Sequence, residues 1–306
     1  MLRGDDMADV DFDDEVFEVQ RPVLFGLAYR MLGSVTDAED VVQDAWLRWQ
    51  SAERGAVQSP KAFLTTVATR LSVDQLRRRQ LERETYIGPW LPEPLVTDDS
   101  MRESSAELAE SLSLAFLTLL EKLQPVERAV FLLHDVFQYS HDEIAAIVEK
   151  SPQNCRQILS RAKEHLSSGR PRFRPEPARQ QALLEQFLAT CQSGDVPALA
   201  QLLIEDVVMV SDGGGKVSAA KKVVRGPEMV ARALTGLARK GAAGLSVRFA
   251  TLNGSRGVLL CSPAGIDSAV NLEFAADGRI AAVHIVRNPE KLARLAVAGA
   301  KIEDGG

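Results

Sequence analysis

Cysteine is scarce in this sequence: Cys155, Cys191 and Cys261 are the only three in 306 residues. Their scatter excludes a disulfide framework and a zinc pattern, and it fits a reducing cytoplasm. Long apolar runs are missing too. No stretch of about 18 apolar residues occurs, so no membrane span is expected. The opening segment, MLRGDDMADVDFDDEVFE, is acidic and has no apolar core, so no signal peptide is expected. There are no internal repeats and no low-complexity tracts. Excess positive charge is also lacking: 36 Lys and Arg face 42 Asp and Glu, a net of −6. That sum speaks against tight nucleic-acid binding by the chain alone. What remains is an ordinary composition for folded protein, 45% hydrophobic and 25% charged, long enough for two or three domains.

The distribution of charge says more than its sum. Residues 1–20 hold eight acids and one base. Residues 61–83 hold six bases against two acids, and residues 150–174 seven bases against one acid. Two basic patches inside an acidic whole suit a protein that binds DNA when a partner supplies further affinity.

Helical spacing runs through residues 12–83, with Val23, Leu24, Leu27, Ala28, Met31 and Leu32 on one stripe. Gly33 ends that helix. Thr36 and Glu39 read as a capping box that starts the next. Pro60 opens a third helix, which runs to about Arg83. Residues 84–107 read as a linker, rich in proline and polar residues. Trp90 and Leu91 are odd in a linker and call for a docking surface. Residues 108–168 are helical again, and 169–177 form a second linker. From Ala178 the texture is α+β: a helix at Gln180–Gln192, then strands at Val207–Val210, Ser246–Leu252, Gly257–Cys261, Ala269–Phe274 and Ile280–Val286. Helix starts fall at Pro227 and Pro289.

Ser140 with Glu143 caps a short helix. Lys150-Ser151-Pro152 is a turn that restarts another, with Ser151 as N-cap and Pro152 at the first helical position. Cys155, Ile158, Leu159, Ala162 and Leu166 fall on the apolar face of this second helix. Gln153, Gln157, Ser160 and Glu164 lie opposite, flanked by Asn154, Arg156, Arg161 and Lys163. Amides and arginines read base edges in a major groove, and cations hold phosphates. This arrangement predicts a helix-turn-helix with its recognition helix at Ser151–Lys163. Two packed helices with a solvated polar face would give the same pattern.

The helix begun near Asp37 buries Val41, Val42, Ala45, Trp46 and Trp49 and shows Asp37, Asp40, Gln43, Asp44 and Arg48. The next helix carries Thr65, Thr66, Thr69, Arg70, Asp74, Arg77, Arg78 and Arg79, with Phe63 nearby. Hydroxyls, arginines and an aromatic ring suit phosphates and unstacked bases.

Three blocks together, LAYRMLGSVTDAEDVVQDAWLRWQ, PKAFLTTVATRLSVDQLRRR and LQPVERAVFLLHDVFQYSHDEIAAIVEKSPQNCRQILSRAKEHL, resemble the two domains of an extracytoplasmic-function sigma factor. They occur in the family's order over residues 12–168. The resemblance implies that Asp37, Asp40, Gln43, Trp46 and Leu47 contact the clamp of core RNA polymerase, with residues 12–83 as sigma region 2. It implies that Phe63, Thr66, Arg70, Asp74, Arg77, Arg78 and Arg79 recognise and melt the −10 element. It implies that Ser151, Gln153, Asn154, Arg156, Gln157, Ser160, Arg161 and Lys163 engage the −35 element, within a region 4 at residues 108–168. Phe63 stands where many relatives carry tryptophan; phenylalanine can still stack.

The resemblance extends to a subgroup with a fused C-terminal domain, marked by Trp90-Leu91-Pro92-Glu93-Pro94, Asp212-Gly213-Gly214-Gly215-Lys216 and Asn288-Pro289-Glu290-Lys291-Leu292. That domain, residues 178–300, is similar to the SnoaL-like cone fold. The fold class implied is therefore two all-α sigma domains plus an α+β SnoaL-like module. Trp90, Leu91, Pro92, Glu93, Pro94, Asp212, Gly213, Gly214, Gly215, Lys216, Asn288, Pro289 and Lys291 become candidates for intramolecular regulation, in place of a separate anti-sigma factor. By themselves the glycines read rather as a flexible hairpin end, and Asn288-Pro289 as a plain helix start. Asp212, Asp267 and His284 are the candidate acid–base residues if the module is an enzyme, but no paired-carboxylate or metal spacing supports catalysis. No cofactor and no metal are expected. Sheets of this kind enclose cavities, which keeps a small-molecule ligand open. The alternative reading is a DNA-binding regulator with a ligand-binding or enzymatic SnoaL-like domain; such a regulator has no need of the Thr36–Trp49 block.

Overall fold

Apolar residues spaced by three and four set the first helices. The computed structural model describes residues 5–53, 57–83, 85–97, 110–166, 176–241, 244–295 and 303–304. Helix α1 spans Asp5–Leu32, α2 Val35–Gln50 and α3 Pro60–Arg83. Leu24, Leu27, Ala28 and Met31 of α1 bury against Val41 and Ala45 of α2 and Leu64 and Ala68 of α3. The start of α2 differs from the expectation. Ser34, in extended conformation, is the N-cap, and its hydroxyl accepts from the Asp37 amide at 3.3 Å. Gly33 breaks α1 one residue earlier, so Ser34 is the first residue free to cap; Thr36 already lies inside the helix, exposed.

Helix α4 (Leu114–Leu120) leads to α5 (Pro125–Phe131), a π-helical turn (Leu132–Val136), α6 (His141–Val148) and α7 (Pro152–Leu166). The capping box at α6 is present: the Ser140 amide donates to Glu143 at 2.8 Å, and the Glu143 amide to the Ser140 hydroxyl at 3.3 Å. The turn passes through Glu149, at φ 54°. Ser151 then caps α7 by accepting from the Asn154 amide at 3.2 Å. Met1–Glu84 and Leu119–Ser168 make one compact unit.

The second unit joins Thr85–Thr118 to Gly169–Gly306. Helices α8 (Pro177–Ser193) and α9 (Val196–Gln201) precede strand β1 (Leu203–Asp212) and the short β2 (Val224–Arg225). After α10 (Pro227–Gly241) come β3 (Ser246–Leu252), β4 (Ser255–Ser262), β5 (Gly265–Phe274) and β6 (Ile280–Val286), then the single turn α11 (Pro289–Leu292) and β7 (Glu303–Asp304). The sheet order is β2-β1-β6-β5-β4-β3-β7, with only the β1–β6 pair parallel among the described pairings. Strands β3 and β6 have the expected bounds, whereas β1, β4 and β5 run longer than their apolar cores predict because ladder bonding continues to each turn whatever the side chains. One sheet face packs Leu184 and Phe187 of α8, Leu199 of α9 and Leu234 of α10. This is an α+β module, as the motifs implied. The other face packs Leu91, Val96, Leu292 and Leu295.

Residues 85–97 are thus not a free tether. Val96 bridges to Leu252, the Thr97 amide donates to the Thr251 carbonyl at 2.9 Å, and the Asn253 amide donates to the Leu95 carbonyl at 2.7 Å. The rest of the expected linker, 98–107, and nearly all of 169–177 lie outside the described residues.

Candidate nucleic-acid interface and linker dock

Packing of α7 follows its apolar stripe: Cys155, Ile158, Leu159 and Ala162 are buried. That leaves Gln153, Arg156, Gln157, Ser160, Arg161 and Lys163 exposed on one surface, with Ser151 at its start and Asn154 half-buried. Lys163 is engaged by Asp135 at 3.0 Å. Burial raises the Cys155 thiol above its ordinary value, which suits an inert core residue.

On α2, Asp40, Gln43 and Leu47 are exposed, Leu47 by 54%. Asp37 is not presented in this way. Its carboxylate pairs with Arg79 and accepts from Gln75 at 2.8 Å, because α3 packs alongside the first turn of α2. Trp46 is half-buried rather than buried, its ring 4.8 Å from Phe17. Phe17, Phe25, Val42, Gln43 and Trp46 line a groove of about 810 Å³ between α1 and α2.

Along α3, Arg77 and Arg78 are exposed, and Asp74 pairs with Arg77 at 3.1 Å. Phe63 lies 5.9 Å from the Trp49 ring, and the Thr66 hydroxyl donates to the Ala62 carbonyl at 2.7 Å. Arg70 is already occupied: its guanidinium donates to the Ile147 and Ala146 carbonyls at 3.1 and 3.4 Å and pairs with Glu149 at 3.1 Å.

The three C-terminal motifs converge on one carboxylate. Asp212 ends β1 and is fully buried. One oxygen accepts from the Tyr86 hydroxyl at 2.6 Å and the Gly214 amide at 2.9 Å. The other accepts from the Leu91 amide at 2.9 Å and from Lys291 Nζ at 2.6 Å. Lys291 also donates to the Leu91 carbonyl, and its ammonium sits 4.3 Å from the Trp90 ring centroid and 5.3 Å from that of Tyr86. An ammonium over aromatic faces beside a buried carboxylate is favourable on both counts. Asn288 caps α11 by accepting from the Glu290 amide at 3.1 Å, and its side-chain amide donates to the Tyr86 hydroxyl at 3.2 Å. Burial, reinforced by the bond to Asp212, pushes the Tyr86 phenol above its usual value, so it remains a donor. Leu91, Pro92, Glu93 and Pro94 are buried and Trp90 half-buried. Pro289 is exposed at the start of α11.

The glycine loop is a packed turn. Gly214 and Gly215 have φ of 60° and 72°. A Cβ on Gly214 would run into the Asn288 side chain, and one on Gly215 would lie 2.9 Å from Ile87. At Gly213, a Cβ would meet the Val217 carbonyl at 2.6 Å. Lys216 pairs with Glu290 across the loop. Tyr86 is the member of this site that the motifs did not single out. Its only sequence signal is a lone aromatic four residues before Trp90 in a polar stretch.

Each acid–base candidate is engaged by partners of its own. Asp212 is saturated by four donors, Asp267 accepts from Arg287 at 3.0 and 3.1 Å, and His284 lies buried 3.5 Å from Glu273. No group of three or more metal-ligating side chains occurs among the described residues. No helix among them is long and apolar enough to cross a membrane.

The Sigma-70 region 2 family matches residues 16–82, and the Sigma-70, region 4 family matches residues 113–166. The chain is 35% identical over 287 residues to the ECF RNA polymerase sigma factor SigJ of Mycobacterium tuberculosis, covering 90% of this chain and 91% of that protein. It is 30% identical over 210 residues to the probable ECF RNA polymerase sigma factor SigI of the same species, covering 68% and 70%. The crystal structure of SigJ superposes with a TM-score of 0.73 at 34% identity, over 90% of this chain and 97% of that one.

Proposed function

The chain belongs to the extracytoplasmic-function RNA polymerase sigma factors, and on that premise we propose how its parts divide the work. As a sigma factor it directs RNA polymerase to promoters and initiates transcription, so core enzyme and promoter DNA are its partners. Gln153, Asn154, Arg156, Gln157 and Arg161 of α7 read the −35 element, with Ser151, Ser160 and Lys163 at its margins. Phe63, Thr66, Arg70, Asp74 and Arg77–Arg79 of α3 recognise and open the −10 element. Asp40, Gln43, Trp46 and Leu47 grip the polymerase clamp, and Asp37 serves mainly to seat α3 on α2.

The C-terminal module regulates by contact. It holds residues 86–94 through Asp212, Lys291, Asn288 and the Gly213–Lys216 loop, and it stands in for a separate anti-sigma protein. It performs no covalent chemistry, a reading supported by the internal partners of Asp212 and Asp267. The chain works where the polymerase is, in the cytoplasm.

The observation that carries the DNA-reading assignment is the exposed amide-and-arginine face of α7 over the buried Cys155, Ile158, Leu159 and Ala162. Arg156→Ala and Gln157→Ala are expected each to weaken −35 recognition by about 1–3 kcal/mol. Transcription across a set of −35 variants checks this; wild-type activity and preference in both mutants would remove α7 from the promoter. Asp40→Ala is expected to weaken binding to core enzyme while shifting stability by less than about 0.5 kcal/mol. Titration of labelled core polymerase reads the first quantity and thermal melting the second. Unchanged affinity would end the clamp assignment.

A further inference from the structure

Four histidines occur in the chain, and two of them meet beside the recognition helix. His134 sits in the π-helical turn Leu132–Val136, a backbone form that recurs at functional sites. His141 opens α6. Their rings stack, with centroids 4.7 Å apart and planes 18° from parallel. His134 Nδ1 lies 2.7 Å from one oxygen of Asp135, and the other oxygen of Asp135 holds Lys163 Nζ of α7 at 3.0 Å. The packing of α6 does not need these rings. Both are only partly buried, while Ile144, Ala145 and Ile147 carry the buried face. His141 Nδ1 is buried without a hydrogen-bond partner, so Nε2 is left to meet an outside acceptor.

The surroundings of the stack are cationic. Arg156 and Lys163 stand two helical turns apart on the exposed face of α7, and both act on the His141 ring. Burial, then the charges of His134, Arg156 and Lys163, hold the His141 imidazolium below its ordinary value, and Asp142 opposes them. On His134 the facing acid is Asp135. Two stacked rings beside two cations take up a second proton readily only when an anion arrives. In a helix-turn-helix the first helix crosses the DNA backbone while the second enters the major groove. The first turn of α6 therefore meets phosphate when α7 meets bases.

We infer that the His134–His141 stack is a seat for a DNA phosphate, a further part of the −35 interface that binds in its fully protonated form. The inference rests on the assignment of α7 to the −35 element. In the free chain the neighbouring cations disfavour the second proton. A phosphodiester oxygen against His141 reverses that balance, so the affinity of the ring for a proton rises on binding and a proton is taken up from water. Affinity for DNA then strengthens as pH falls through the histidine range and levels off below the free-chain value; it weakens as pH rises. Lysine or arginine at position 141 would hold phosphate at any pH. Histidine makes the contact conditional.

The test uses holoenzyme assembled from the full chain and core polymerase, with a labelled promoter duplex, from about pH 6 to about pH 8. The affinity of wild type relative to His141→Gln is expected to be near one at about pH 8 and about three- to tenfold at about pH 6. The log–log salt slope of wild type should be steeper by about 0.9 at the acid end, the signature of one more phosphate neutralised, while His141→Gln keeps one slope. A purely structural role for the rings would not move that slope, and the wild-type comparison needs no variant to fold. His134→Gln removes the ring that repels His141, so the rise in affinity should begin at higher pH. His165→Gln, exposed near the end of α7 and 3.5 Å from Glu127, should keep the wild-type pH dependence. A wild-type salt slope equal at both ends of the range would overturn the seat. So would a flat affinity ratio, or a pH dependence lost in His165→Gln instead. The α7 assignment is judged separately by Arg156→Ala at about pH 8, where the histidines are neutral. Wild-type −35 affinity there would overturn that assignment; weakened affinity with a flat ratio would overturn the seat alone.

Discussion

Replacing Asp212 by alanine is expected to destabilise the second unit by about 3–5 kcal/mol and to free residues 85–97 from the sheet. The carboxylate is fully buried and receives four donors, three of them from the Tyr86 hydroxyl, the Leu91 amide and Lys291 Nζ. Removing it strands a largely buried ammonium, which is the costly half of breaking a buried pair. The Leu91 amide, also buried, loses its partner at the same time. Asp212→Asn keeps the shape but puts an NH₂ against two donors, so it too is expected to fail. The double variant Asp212→Ala/Lys291→Met removes both charges and is expected to recover part of the loss, because no uncompensated charge remains. Calorimetry of the full chain should resolve the effect as a fall of roughly 6–20 °C in the transition of the second unit. Protease cleavage within 85–97 should accelerate in step. An unchanged transition together with unchanged cleavage would show that the dock contributes nothing to holding this segment.

Much of this dock was legible in the sequence, and the reasons differ by residue. Trp90 and Leu91 announced a partner because large apolar groups rarely sit unprotected in a proline-rich stretch. Asn288-Pro289 announced a helix start, and α11 begins there. That Asp212, Lys291 and Leu91 meet was implied only by the co-occurrence of three motifs. Spacing alone could not supply it, since about 80 residues separate Asp212 from Lys291 and about 120 separate it from Leu91. Local pattern likewise favoured a flexible end for Gly213–Gly215, and tertiary packing against Ile87 and Asn288 overrode it.

The helical half was easier to read, because a stripe of apolar residues is a local signal. The buried set of α7 and the caps at Ser140 and Ser151 follow directly from residue order. What residue order hides is how charged side chains are spent. Arg70 and Arg79 look like free cations on a basic helix, yet one is bound to carbonyls of α6 and the other to Asp37. Arg128 looks like a surface residue of an amphipathic turn, but it is buried on the end of α1, and desolvation pulls its guanidinium down to about 9. Such contacts join segments distant in sequence, and no periodicity encodes them.

Cutting the chain after Arg174 is expected to lower promoter activity, whereas cutting before Asn288 is expected to raise it. The longer truncation removes the whole sheet and leaves its docking segment behind. Leu91, fully buried in the intact chain, is then exposed with Tyr86, Trp90 and Val96 beside it. Burial of a leucine of this kind is worth about 1.5–3 kcal/mol. A bare apolar strip between the two promoter-reading halves invites wrong contacts and aggregation. The shorter truncation keeps β1–β6 and Asp212. The Tyr86 hydroxyl and the Leu91 amide can still reach that carboxylate, but Lys291, Asn288, Leu292 and Leu295 are gone. The segment stays covered and is held less firmly, which under the proposed regulation favours engagement of polymerase. Gly214→Val should act in the same direction as the shorter cut. Its side chain would collide with Asn288 at a backbone angle that disfavours β-branched residues, so α11 is pushed off without loss of the sheet. Multiple-round transcription with core polymerase, at matched protein levels, ranks the three. If all three transcribe like the intact chain, the C-terminal module is no intramolecular regulator, and a ligand-binding role for it takes precedence.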